Sequence, residues 1–97
     1  MARARRTDAN HSKIVDYLRS IGWSVFDSSA FGRGFSDLVV SRLQHTALVE
    51  VKHGYHDLND LQRKFRDGWQ GAYFVVRTPE DAEKQLALWL LGLAKWK

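Results

Sequence analysis

Residues 36–52, SDLVVSRLQHTALVEVK, constrain the fold of this chain more tightly than any other stretch. Two short runs rich in β-branched and aliphatic residues flank a polar turn at 44–46. They read as an antiparallel hairpin, with one strand over 35–42 and the next over ALVEVK. Side chains alternate across a strand, so Leu48, Glu50 and Lys52 share one face and Ala47, Val49 and Val51 the other. Apolar residues on both faces imply that both are covered. Asp37 and Glu50 are then expected at the edge of a water-poor region, or inside it. A lone charge there costs several kcal/mol. Two neighbouring carboxylates also repel, and Lys52 neutralises only one of them.

The rest of the chain supplies the elements to cover such a sheet. Ile14, Val15, Leu18 and Ile21 follow the spacing of an amphipathic helix, with Thr7 or Asp8 as its cap and Gly22 as its stop. Residues 23–26 read as a first strand, and DSSAFGRGF as a loop with two glycines around Arg33. A second helix carries Leu61, Phe65 and Trp69, capped by Asp57 or Asn59, and AYFVV forms a last strand. Thr78 and Pro79 open a final helix, with Leu86, Trp89, Leu90, Leu93 and Trp96 along it. Trp23 and Trp69 are expected in the core. The predicted order is α-β-β-β-α-β-α, an α/β fold with a mixed sheet flanked by helices.

With 97 residues, the chain suits one domain with one core, assigned to 8–97 behind a basic arm at 1–7. Arg3, Arg5 and Arg6 carry three of the four surplus positive charges, so the body is nearly balanced. Arg6 in the arm is a candidate phosphate contact. The absence of cysteine excludes disulfides and thiolate metal sites, and fits a reducing cytoplasm. No apolar run reaches the length of a membrane span.

A divalent cation would reconcile Asp37 with Glu50. Carboxylate oxygens suit Mg2+ or Mn2+, which keep several waters, and Val51 between the charged residues offers its backbone carbonyl as a further ligand. Such a centre can polarise a phosphodiester and supply hydroxide near neutral pH. Lys52 can orient the attacking water or stabilise charge on the phosphorus oxygens. For an isolated Glu-x-Lys the commoner explanation is an exposed cross-strand pair. The aspartate upstream, the hairpin and the flanking apolar runs favour the metal centre.

GFSDLVV followed by ALVEVKHG resembles the motif of the PD-(D/E)XK nuclease superfamily, with Asp37, Glu50 and Lys52 at its core positions. RTDANHSKIVDYLRSIGWSV, LQRKFRDGWQG and VVRTPEDA extend the likeness to the small stand-alone VRR-NUC-like nucleases of phages and bacteria. The resemblance implies a restriction-endonuclease-like fold and metal-dependent DNA cleavage. It includes branched DNA of the Holliday-junction type, cut by a homodimer in the cytoplasm of a bacterial or phage-infected cell. It also makes Gln62 an auxiliary catalytic residue.

Two departures stand out. Ser36 replaces a proline that commonly precedes the aspartate, and Asn10-His11 stands where many nucleases carry an acidic residue. His11 reads equally as a phosphate or metal-shell contact and as a surface residue. Arg33, His53 and Lys64 are the remaining candidate DNA contacts. His53 and His56 lack the further ligands of a zinc site. The apolar C-terminal helix exceeds what a small monomer can bury, so a homodimer through that helix or a sheet edge is expected. A non-catalytic DNA-binding module and an assembly or inhibitor protein are the alternatives.

Overall fold

The computed structural model describes residues 9–96. The chain runs α1 (Ala9–Ser20), β1 (Ser24–Asp27), β2 (Leu38–Arg42), β3 (His45–Val51), α2 (Asp60–Gly68), β4 (Ala72–Val76) and α3 (Pro79–Leu90). The sheet order is β1-β2-β3-β4. The first three strands are antiparallel and β4 lies parallel to β3. A parallel step needs a crossover, and α2 supplies it. The result is a compact α/β fold with a four-stranded mixed sheet and three helices.

Alternation divides the core in two. Leu38, Val40, Val49, Phe74 and Val76 point to one face and pack with Ile14 and Leu18 of α1 and with Leu86 of α3. Leu48 and Tyr73 point to the other face, where Leu58, Phe35 and Phe65 complete a smaller cluster beneath α2. Glu50 lies two residues beyond Leu48 and so belongs to this second face.

Local chemistry explains where the elements begin and end. Asn59 caps α2 through a reciprocal pair of bonds: its side chain accepts from the Gln62 N–H, and the Gln62 side chain accepts from the Asn59 N–H. Thr78 caps α3, with Pro79 at its first position. The hairpin turns at Leu43 and Gln44, both left-handed (φ 52° and 69°), one residue earlier than the 44–46 expected. Two left-handed residues match the twist of the flanking strands.

Four other expectations are corrected. β1 starts at Ser24 and β2 at Leu38, so Phe35, Ser36 and Asp37 precede β2 instead of lying within it. Bonds from Ser28 Oγ to the Ser36 carbonyl, and from Ser36 Oγ to the Leu38 carbonyl, hold this entry. α3 stops at Leu90. Gly92 turns left-handed (φ 74°), and the Gly92 and Leu93 N–H groups donate back to the Trp89 and Leu88 carbonyls, closing the last turn. Leu91 and Leu93 are therefore exposed beyond the helix, and Trp96 folds back against Trp89 with ring centroids 6.4 Å apart. Trp23 is buried as expected, but Trp69 is partly exposed.

Thr7, Asp8, Arg6 and the basic arm lie outside the described residues. Among the described residues, no helix is long and apolar enough to cross a membrane.

Candidate active site

Asp37 and Glu50 meet where β2 begins and β3 ends. Leu38 pairs with Val49, so one step further along the register brings Asp37 alongside Glu50. Both carboxylates are buried, at 6% and 2% exposure. Asp37 is held twice: its carbonyl accepts from the Ser28 N–H at 2.8 Å, and its Oδ2 accepts from the Val51 N–H at 2.9 Å. An extended residue sends its N–H and C=O to the same side. The Val51 carbonyl is therefore turned toward the Asp37 side, while the Lys52 N–H points the other way, to the Val76 carbonyl of β4.

Glu50 is held from α2 and from its own strand. Gln62 Nε2 donates to Glu50 Oε2 at 3.0 Å, and Lys52 Nζ lies 3.7 Å from the same oxygen. The capping bond decides which end of the Gln62 amide faces Glu50. Its oxygen is used by the Asn59 N–H, so its NH2 group is left for the carboxylate. Burial, then the charges of Glu50 and Asp37, push the Tyr73 phenol well above its ordinary range. Its hydroxyl is buried and has no hydrogen-bond partner among the described residues. Tyr73 pairs with Leu48 on the α2 face, and alternation from the Leu38–Val49 pair assigns Asp37 and Glu50 to that same face.

The loop ahead of Asp37 rests on α2. Gly32, Arg33 and Gly34 are all left-handed, with φ of 70°, 58° and 82°. A Cβ on Gly34 would stand 2.7 Å from the Leu61 carbonyl oxygen, so only glycine lets the loop approach α2 this closely. Arg33 is exposed at the tip, and Lys64 is exposed on α2. His53, directly after Lys52, is also exposed, within a turn that Arg77 clasps through the Gly54 carbonyl.

His11 is not the surface residue that one of its two expected readings makes it: it is buried, and its Nε2 lies 3.0 Å from Asp27 Oδ2. Asp27 pairs with Leu38, which places this contact on the α1 face, opposite Glu50. Burial opposes ionisation of Asp27, but bonds from the Ser29 hydroxyl and N–H, with His11, outweigh it and hold the carboxyl below its ordinary value. Sequence reasoning missed Asp27. The only local signal was the Asp-x-Ser spacing that lets an aspartate accept from the second residue on. The Asn10 side chain donates to the Arg77 carbonyl at 2.9 Å and the Lys52 carbonyl at 3.4 Å, so α1 begins at the same end of the sheet as Lys52.

Among the described residues, no three His, Asp or Glu side chains converge as a metal-holding group. The donor set near Asp37 is two carboxylates and one backbone carbonyl. That is an oxygen set suited to a hard cation that retains much of its water shell. No family model, curated protein or solved structure matches the chain.

Proposed function

We propose that the chain is a Mg2+- or Mn2+-dependent endodeoxyribonuclease of the PD-(D/E)XK type, with a restriction-endonuclease-like core akin to the small VRR-NUC-like enzymes. The observation that carries this reading is the buried pair of Asp37, at the entry to β2, and Glu50, on the adjoining β3, with Lys52 Nζ 3.7 Å from Glu50 Oε2. Two buried carboxylates held side by side repel each other, and a divalent cation shared between them would turn that repulsion into attraction.

Asp37, Glu50 and the Val51 carbonyl would hold the cation. Bound there, it supplies Lewis-acid polarisation of a phosphodiester and a water acidic enough to attack near neutral pH. The Lys52 ammonium, on the same face as Glu50, stabilises negative charge growing on the phosphorus oxygens. Gln62 is a positioning residue that fixes the Glu50 carboxylate from α2. The Val51 N–H does the same for Asp37. Arg33, His53 and Lys64, all exposed, are available to phosphates on either side of the scissile bond.

A domain of this size offers little surface for reading bases, so selection of branched DNA by shape fits it better than sequence specificity. Two copies joined through the exposed Leu91 and Leu93 would present two sites to a four-way junction. Light scattering on the Leu93→Glu variant tests that pairing.

The test of function is a cleavage panel of four-way junction, flap, single strand and linear duplex, with and without Mn2+. Nicking that requires the metal and disappears in Lys52→Ala supports the enzyme. Binding without cleavage of any substrate would instead make the chain a DNA-binding module.

A further inference from the structure

A row of aromatic rings crosses the surface next to the candidate site. Phe26 of β1 lies 6.0 Å from Phe31, and Phe31 lies 5.8 Å from Phe35. Phe35 meets Phe65 edge-on at 5.3 Å, and Phe65 stacks on Trp69 at 5.6 Å. The middle of the row is rooted in the small core cluster by Phe35 and Phe65. One end is open: Phe26 and Phe31 are 56% and 60% exposed. Leaving large rings in water is unfavourable, and neither ring is needed to close the main core, which packs on the opposite face.

The surroundings indicate what covers them. Arg33 sits between Phe31 and Phe35 in the same loop, exposed and outside every ion pair among the described residues. Lys64, exposed on α2, precedes Phe65. A narrow line of rings bordered by cations is complementary to a polyanion with flat apolar side groups. The row also leads to the candidate site, because Phe35 stands two residues before Asp37 and Phe65 three residues after Gln62.

We infer that the row Phe26–Phe31–Phe35 is a stacking platform for unpaired bases, and that Arg33 holds the adjoining phosphate. The inference rests on the nuclease reading for its polymer, and it names the substrate feature which that reading leaves open. In a fully paired duplex the base faces are covered by their neighbours, so rings of this kind gain contact only where a strand is single or frayed at a branch.

The test is fluorescence anisotropy in EDTA with a single-stranded oligonucleotide and a duplex of equal length. The proteins are the parent chain, Phe31→Ala and Phe31→Trp. The ring is exposed, and circular dichroism checks that both variants fold. Phe31→Ala should weaken single-strand binding roughly fivefold or more and duplex binding less than about twofold, and Phe31→Trp should restore it. A 2-aminopurine in the single strand should be quenched by the parent and not by Phe31→Ala.

Equal weakening on both DNAs, or no change on either, would overturn the inference. So would a fall in mass by light scattering in Phe31→Ala, which would make a second copy the occupant. Because metal is absent, the result is separate from catalysis. Stacking without cleavage in the Mn2+ panel would remove the nuclease reading and leave the platform, and cleavage without discrimination would do the reverse.

Discussion

Gln62 Nε2 donates to Glu50 Oε2 at 3.0 Å, so one side chain both caps α2 and anchors a buried carboxylate of β3. Gln62→Ala removes both contacts. A loss of about 1–2 kcal/mol in a urea or thermal melt is expected, from a missing cap and a missing charged hydrogen bond. Gln62→Glu keeps an oxygen for the Asn59 N–H but sets another carboxylate against Glu50. This variant should be less stable than the parent without metal and should gain more in Tm from Mn2+ than the parent does. Equal gains in the two proteins would contradict the placing of a cation beside Glu50.

Gly34 and Gly32 separate steric contact from backbone strain. Both are left-handed, but a Cβ on Gly32 meets nothing within 4 Å, whereas one on Gly34 meets the Leu61 carbonyl oxygen at 2.7 Å. Gly32→Ala should cost about 1 kcal/mol, from the left-handed φ alone. Gly34→Ala should cost clearly more and should also reduce cleavage, since the loop leads into Asp37. Denaturant melts of the two variants provide the comparison, and equal losses would mean that the loop is not seated on α2.

Asp27 predicts an acid limb to the stability curve. Its carboxyl is held below the ordinary 3.8 by Ser29 and His11 against the opposing effect of burial. A depressed folded-state pKa means that the stabilisation is fully present above 3.8 and is lost as the pH falls through the lower folded value. Asp27→Asn should therefore be less stable than the parent at neutral pH, with the gap closing as the pH drops below 3.8. The side chain is 43% exposed, so solvent screening keeps the gap small. Thermal melts from pH 7 to pH 2.5 measure it. A gap that widens in acid would contradict the assigned contacts.

Features with local causes were legible in the sequence. Strand alternation alone puts Leu48, Glu50 and Lys52 on one face, and Asn59, Thr78 and Pro79 mark helix starts by their own chemistry. The order of elements and the approach of Asp37 to Glu50 followed from the hairpin. What escaped depends on contacts distant in sequence, or on backbone states that composition hides. Leucine is a poor marker of a left-handed turn, so residue types alone put the bend one residue past Leu43. The apolar run after Leu86 masks the stop at Gly92, where the chain leaves the helix and Trp96 returns to Trp89. The burial of His11 rests on Asp27, which only the packing of α1 against β1 brings within reach. Trp69 looked like core by residue type, yet α2 stacks it on Phe65 at the surface.

The central claim is that Asp37 and Glu50 share a divalent cation with Lys52 standing beside it. Calorimetric titration of Mn2+ into the parent chain, Asp37→Asn, Glu50→Gln and Lys52→Ala tests it most directly. Saturable binding should appear in the parent, persist in Lys52→Ala, and fall by an order of magnitude or more when either carboxylate is neutralised, about 1.4 kcal/mol or more. Binding unchanged in both carboxylate variants would contradict the account.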